Sequence, residues 1–519
     1  MSSGNRRSGA RSRRTTRAAW RFKRQALGTK NLCKKDCVLE LPSMNKLHNI
    51  TLGLTYDDVL LIPHYSDTAS RKQIDLTTHF SRRLKINIPI VSANMDTVTE
   101  SGMATAVALA GGIGVIHRFM TIEEEALEVK KVKRAQNFMI EDPVCVAPDT
   151  SLAEAIKLMK QHNIHGLLVC NEDKKLQGIL TSRDIKFKTS FTGPVREFMT
   201  PRAKLITTTV NITQEAAVRI FDEHKIEKLP VIDNEDKIVG LITASDFRKH
   251  AENTAASHDK HGRLLVAAAV GVKDGLERSQ ALVKAGADAL VIDIAHGHSE
   301  KCIQLTKELK FTWPEIDIVA GNVATVTGAL DLIKAGADAI KVGVGPGAAC
   351  STRIVAGSGV PQLTAVCNIA GACRQYGVPL IADGGIKTSG DLAKAIGAGA
   401  DTVMIGNLFS GALESPGEYY IEDGQAVKVY RGLASREASV DRQAVEQNVA
   451  RQDRAPEGIS YKVSYKGGVT KVINLLVDGL QSGMSYTGAR SIKEFWEKAE
   501  FVRITEAGMR ESAPRSHQT

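Results

Sequence analysis

Ala285-Gly-Ala-Asp288-Ala-Leu-Val-Ile-Asp293, Ala335-Gly-Ala-Asp338-Ala-Ile-Lys-Val-Gly343 and Ala398-Gly-Ala-Asp401-Thr-Val-Met-Ile-Gly406 are three copies of one phrase. In each copy a helical pattern ends at glycine, a short turn follows, and a continuous apolar run begins. A helix that stops at Gly and feeds a fully apolar strand is the joint between helix and strand in a parallel sheet. Three such joints with helical segments between them predict a βα barrel. Further strand candidates are Ile88–Val91, Gly114–His117, Leu265–Ala269, Ile318–Ala320 and Leu380–Ala382. With the three repeat strands they make eight, although periodicity alone does not separate eight strands from seven. The expected fold class is α/β, a (β/α)8 TIM barrel.

A second repeat interrupts this series between His117 and Leu265. Phe138-Met139 opens one copy and Phe198-Met199-Thr200-Pro201 the next. Each copy carries a helix pattern into His162-Asn-Ile-His165 or His224-Lys-Ile-Glu227, then an apolar strand, a polar turn, and Gly178-Ile-Leu-Thr181-Ser-Arg-Asp184 or Gly240-Leu-Ile-Thr243-Ala-Ser-Asp246. The His162/His224 and Asp184/Asp246 spacings are both 62 residues. Two βαββα units, each unable to close a core alone, should pack face to face. The pair resembles a tandem CBS (Bateman) module. That resemblance implies purine nucleotide effectors bound near Thr181, Asp184, Thr243 and Asp246. A plainer reading leaves both aspartates as helix caps. The expected organisation is a basic extension at 1–45, a barrel from 46–136 and 250–512 with a flap at about 430–465, and an inserted pair at 137–249, its motifs spanning about 137–190 and 197–249.

The chain of 519 residues, 43% hydrophobic and 24% charged, reads as globular and multidomain. Its formal charge of +10 is local: twelve Lys or Arg between Arg6 and Lys35, against Asp36 and Glu40, carry all of it. The folded body is close to neutral, so nucleic acid is not an expected partner for it. No run of about 18 apolar residues is present for a membrane-spanning helix. Eight scattered cysteines suit a reducing compartment, and Cys33/Cys37 lacks a second ligand pair for a metal site. Cytoplasmic residence is expected, with organellar import through the basic extension as the alternative.

In a TIM barrel the chemistry sits at the C-terminal ends of the strands. Those ends read Ala93-Asn94-Met95-Asp96, Asp293, Gly321-Asn322, Gly343 to Cys350, Asp383-Gly384-Gly385 and Gly406-Asn407. The most specific is Gly343-Val-Gly345-Pro-Gly347-Ala-Ala-Cys350-Ser-Thr352-Arg353. Three glycines and a proline build a tight loop able to present carbonyls to an ion and a thiol to a ligand. A cysteine placed there is a candidate nucleophile. Asp383-Gly-Gly and Gly406-Asn407 suit a ribose and a phosphate: a carboxylate for hydroxyls, backbone N–H groups for the anion.

Residues 51–512 resemble the IMP dehydrogenase/GMP reductase family. The resemblance is carried by Leu54-Thr-Tyr-Asp-Asp-Val-Leu-Leu61, Ala93-Asn-Met-Asp-Thr-Val98, Gly321-Asn-Val, the Cys350 loop with Gly359-Val-Pro-Gln362, Asp383-Gly-Gly, Tyr430-Arg-Gly432, Glu457-Gly458, Tyr465-Lys-Gly467 and Ser482-Gly-Met-Ser-Tyr-Thr-Gly488. It implies that Cys350 attacks C2 of a purine nucleoside 5′-monophosphate, with hydride passing between C2 and a nicotinamide. It further implies a substrate site of Met95, Asp383, Gly384, Gly385, Gly406, Asn407, Tyr430, Gly432 and Glu457. Within it Asp383 takes the ribose, Gly385, Gly406 and Tyr430 the phosphate, and Gly432 and Glu457 the base. Asp293, Asn322, Gly343 and Gly345 would face the dinucleotide. Carbonyls of Gly345, Gly347 and Cys350 would ligate a monovalent cation, typically K+. A homotetramer is expected, with an octamer as the alternative. Two positions depart from the family's habit: Ala348, where Ser is usual, and Asn407, where Ser or Gly is usual, both near the expected phosphate.

The direction of reaction turns on the flap. The family's dehydrogenases activate water with an Arg-Tyr pair, and Gly432 to Gln447 holds none; Arg442-Gln443 keeps only the Arg. The reductases use a Thr on the Cys loop and a Glu near the flap, here read as Thr352 and Glu437. That reading favours GMP reductase with NADPH. Asp293-Ile-Ala-His-Gly-His298 and the inserted pair lean toward IMP dehydrogenase with NAD and Arg442 as base. A non-catalytic nucleotide-sensing or assembly protein is the alternative from another class.

Overall fold

The computed structural model describes residues 50–135, 139–140, 143–162, 164–186, 192–209, 212–244, 255–438 and 455–512. The basic extension, Cys33/Cys37, Arg442 and Asp246 lie outside the described residues.

Along the chain, β1 (Ile90–Ser92), α1 (Ser101–Leu109), β2 (Ile113–Ile116) and α2 (Ile122–Ala135) come first. After an insertion follow β3 (Val266–Val270), α3 (Gly275–Ala285), β4 (Ala289–Ile292), α4 (Glu300–Thr312), β5 (Asp317–Val323), α5 (Val326–Lys334) and β6 (Ala339–Val342). Then come α6 (Gln362–Gln375), β7 (Leu380–Asp383), α7 (Ser389–Gly397) and β8 (Thr402–Ile405). The eight strands pair in parallel, each with its successor and β8 with β1, and close a barrel. Every predicted barrel strand is present within two or three residues of its expected bounds.

The repeated phrase explains the closure. Gly286, Gly336 and Gly399 take φ of 102°, 101° and 110°, the left-handed turn that ends each helix and that a Cβ would strain. Two residues on, each aspartate turns back beneath the sheet. Asp288 accepts from the Val266 amide at 2.8 Å, Asp338 from Ile318 at 3.0 Å, and Asp401 from Leu380 at 2.7 Å. Each carboxylate thus satisfies an N–H at or next to the start of the neighbouring strand, at the end of the barrel away from the predicted site. Lys133 pairs with Asp288 at 2.6 Å and Lys310 with Asp338 at 2.8 Å. Asp401 has no such lysine among the described residues, and burial pushes its carboxyl up to about 7.

Inside the barrel, Val115, Ala267, Ala289, Val291, Val319 and Met404 are buried to 1% exposure or less. The helices pack outside on the alternate residues of the same strands.

Residues 137–249 add no described strand to the barrel. They hold hairpins Gly166–Cys170/Leu176–Thr181 and Lys228–Ile232/Ile238–Thr243, which meet tip to tip: Leu176 N donates to Asp236 O and Ile238 N to Lys174 O. Leu168, Leu176, Ile179, Ile232 and Leu241 form a shared core between the copies. After β8, strands β9 (Tyr420–Glu422), β10 (Gln425–Arg431) and β11 (Ser460–Ser464) make a small antiparallel sheet that frames the flap. No helix among the described residues is long and apolar enough to cross a membrane.

Candidate active site

At the C-terminal ends of the strands lie two cavities of about 310 and 270 Å³ with walls in common: Met95, Asp383, Gly384 and Tyr430 line both. Between them they collect most of the strand-end residues that sequence reading selected; Asp96 and Gly321 line neither.

The Cys loop leaves β6 at Gly343, whose φ of 147° brings it so close to Asp383 that a Cβ would sit 2.2 Å from that residue's carbonyl. Arg353 folds back and donates to the carbonyls of Val344 (3.3 Å) and Val360 (2.6 Å), tying both ends of the loop together. The loop is then stitched to the flap's two returns. Ile459 N donates to Ala349 O, Ser351 N to Glu457 O, and Gly432 N to Ile459 O, each at 3.0 Å. A Cβ on Gly432 would meet Ala349 O at 2.6 Å, so only glycine lets the flap root lie against the loop.

That stitching sets the chemistry. Cys350 is exposed in the larger cavity, and its thiol donates to Thr352 Oγ1 at 3.2 Å. Thr352 Oγ1 in turn donates to Glu457 Oε2 at 2.7 Å. A thiol, a hydroxyl and a carboxylate form one connected chain. Such a chain can move a proton between Glu457 and whatever atom lies beside Cys350.

Around it are further polar groups. Asp383 Oδ2 accepts from Lys341 Nζ and Asn322 Nδ2, both at 2.9 Å, and Asn322 Nδ2 also donates to Gly343 O at 2.8 Å. Tyr430, 3% exposed, rests its hydroxyl on Met95 Sδ at 3.6 Å and meets the Tyr461 ring edge-on. Burial holds its phenol well above the usual tyrosine range, with Tyr461, Asp383 and Cys350 adding to the effect, so it serves as a hydrogen-bond donor. Asn407 Nδ2 donates to Tyr461 Oη at 2.8 Å. On the opposite wall, Asp293 accepts from Arg118 Nε at 2.7 Å and Asn94 Nδ2 at 3.0 Å.

Cys350, Thr352, Met95, Asp383, Gly384, Tyr430, Gly432, Glu457, Asp293, Asn322, Gly343, Gly345 and Gly347 line the larger cavity; Gly385, Gly406 and Asn407 line the smaller. One assignment is corrected. Glu437 is exposed on a short helical turn and lines neither cavity; the carboxylate bonded to Thr352 is Glu457. Glu457 was expected to contact the base; here Ser351 N bonds its carbonyl and its side chain meets Thr352. Asn322 was expected to face the dinucleotide, yet its amide is spent on Gly343 and Asp383. In the inserted region, Asp184 Oδ2 accepts from the Thr181 amide and hydroxyl, both at 2.7 Å, so the carboxylate caps a helix turn there, whatever else it binds.

Sequence reading missed Arg118, Lys341 and the Arg431–Asp96 pair at 2.7 Å that ties the flap root to the β1–α1 loop. A signal for Lys341 was present in the repeat. Where the first and third copies carry Val291 and Met404, the second carries a charge.

Residues 53–515 match the family model described as "IMP dehydrogenase / GMP reductase domain". An inosine-5′-monophosphate dehydrogenase of Aquifex aeolicus is 52% identical over 468 residues, 89% of this chain and 94% of that protein. One from Nitrosopumilus maritimus is 50% identical over 89% of this chain and 98% of that protein. Among solved structures, an alanine variant of GMP reductase from Trypanosoma brucei in complex with guanosine 5′-monophosphate is 46% identical. It has a TM-score of 0.85, with 92% of this chain and 100% of that chain covered.

Proposed function

We propose that this chain, which belongs to the IMP dehydrogenase/GMP reductase family, is the reductase: it converts GMP and NADPH to IMP, ammonia and NADP. The observation that carries this reading is the chain Cys350–Thr352–Glu457. Deamination at C2 needs a nucleophile for carbon and a proton for the departing nitrogen, held within a few ångströms of each other. Cys350 supplies the sulfur. Its bond to C2 forms as the C2–N bond breaks, and Thr352, backed by Glu457, delivers the proton to the leaving amine. A bound nicotinamide dinucleotide supplies the hydride that replaces sulfur at C2, releasing IMP and the thiol. Asp383 takes ribose hydroxyls. Tyr430 and the amides at Gly385 and Gly406 take the phosphate, with Asn407 and Ala348 standing where the family more often has hydroxyls.

The carbonyls of Gly345, Gly347 and Cys350 have the right donor chemistry for a monovalent cation such as K+. Gly347 O already accepts the Cys350 amide, so a cation bound there would brace the turn that carries the nucleophile. The inserted pair, a tandem CBS module on this reading, binds purine nucleotides and tunes a homotetramer. A Trypanosoma brucei GMP reductase solved in complex with guanosine 5′-triphosphate, 43% identical, supports a nucleotide effector.

The high identity to bacterial and archaeal IMP dehydrogenases favours a second reading, oxidation of IMP with NAD and water. The two separate in one experiment. The protein is incubated with GMP plus NADPH, and separately with IMP plus NAD, while nicotinamide absorbance is followed. Steady NADPH oxidation with at most a one-equivalent burst on IMP supports the reductase; sustained XMP production overturns it.

A further inference from the structure

Lys341 is out of place for a barrel interior. Its counterparts in the other two copies of the repeat, Val291 and Met404, are buried apolar residues of the inner core. Lys341 points the same way and is 4% exposed. A buried ammonium needs partners, and it has them at the floor of the larger cavity: Asp383 Oδ2 at 2.9 Å and, closer still, Asn322 Oδ1. Asn322 completes a triangle by donating to the same Asp383 oxygen at 2.9 Å. The fit needs Gly321 beside it, where a Cβ would meet Lys341 O at 2.4 Å and Lys341 Cβ at 2.7 Å.

All the hydrogen bonds from described residues to the Asp383 carboxylate converge on Oδ2. Two donors on one oxygen hold the carboxylate and leave Oδ1 without a donor among the described residues, on a residue that lines both cavities. We infer that Lys341 is a positioning residue for ribose recognition: through Asp383 it makes the site select ribonucleotides over 2′-deoxyribonucleotides. A carboxylate held from behind presents its remaining lone pairs to two vicinal hydroxyls without first losing rotational freedom. A site built around those hydroxyls rejects an analogue lacking one of them. Without Lys341, Asp383 would keep only Asn322 and could turn its oxygens away from the sugar.

The inference rests on the reading that Asp383 takes the ribose. The test therefore uses binding rather than turnover. The affinity of the full-length protein for GMP and for 2′-deoxy-GMP is measured by calorimetry without cofactor, for the parent and for Lys341→Met. The parent should prefer GMP. In Lys341→Met, GMP affinity should fall by about 10–100-fold, the loss expected for a charge-assisted hydrogen bond, while 2′-deoxy-GMP affinity moves less than about 3-fold. Lys341→Gln, which keeps a donor but not the charge, should shift the same way by less, and serves if the Met variant does not fold by circular dichroism. Parallel losses for both nucleotides would mean a merely structural lysine and would overturn the inference, as would an unchanged preference. A parent that binds neither nucleotide, or binds both equally, sinks the reading of Asp383 itself and this inference with it.

Discussion

Glu457→Gln is the sharpest perturbation of the proposed mechanism, because it changes one atom and keeps the shape. The carboxylate accepts from Thr352 Oγ1 at 2.7 Å, and Thr352 accepts from the Cys350 thiol at 3.2 Å. A glutamine can still offer its amide oxygen to Thr352, so the hydroxyl need not lose its orientation. What disappears is the charge on that bond, worth about 1–2 kcal/mol as the difference between charged and neutral hydrogen bonds, or roughly 5–30-fold. Lost as well is a group able to give and take a proton, and general acid–base help of this kind is worth about 10²–10⁴-fold. The larger effect should set the outcome. We expect kcat for NADPH oxidation with saturating GMP to fall by about 10²–10⁴ with the fold intact. Rapid-quench measurement should place the loss in ammonia release. Thr352→Ala should cost a similar amount, and the double variant little more than either, since groups acting as one unit are not additive. Glu437→Gln, altering an exposed residue outside both cavities, should leave the rate within about 2-fold. A loss under about 3-fold for Glu457→Gln, or a double variant that loses the product of the two single effects, would refute the relay.

Three further outcomes are expected. Cys350→Ala should lose several orders of magnitude in turnover yet bind GMP in calorimetry with near-parent affinity; residual activity above a few per cent removes the thiol from the mechanism. Asp401 has a carboxyl pushed up to about 7 by burial, so the folded state holds its proton more tightly than the unfolded chain. Its contribution is fully present below about pH 4 and is lost as pH rises through about 7, an upper bound of about 4 kcal/mol. Asp401→Asn should flatten that part of the urea-midpoint profile, and an unchanged slope would show that Asp401 titrates normally. Last, a variant lacking residues 137–249 should keep GMP reduction while losing any response to ATP or GTP; loss of basal activity would make the insertion part of the catalytic unit.

How much of this was legible in the sequence follows from the range of the forces involved. The eight strands were readable because a parallel strand buried on both faces must be apolar along its length, and because the turn after each repeat helix needs a left-handed residue. Both are local demands, met by Gly286-Ala-Asp288 within three residues. The Cys350 loop was readable for the same reason, since glycine and proline density marks a tight turn wherever it lies. The second repeat declared itself by matched phrases 62 residues apart, Gly178 to Asp184 and Gly240 to Asp246.

The identity of Thr352's partner was not local. Glu437 is nearer along the chain to the flap glycine, yet Glu457, 105 residues from Thr352, makes the bond. Backbone pairing of Ser351 with Glu457 and of Gly432 with Ile459 decided that, and no periodicity encodes the return path of a flap. Lys341 lay between these limits. Strand alternation puts it on the inner face with Ala339, and its charge among apolar counterparts marks it as unusual. Which carboxylate it would meet waited on the closing of the barrel. The barrel and the glycine-rich Cys350 loop at its C-terminal end are written in local pattern, because both rest on contacts within a few residues. Which acid meets Thr352 and which cation meets Asp383 came with the closing of the fold, because strands and returns far apart in the chain bring those groups together.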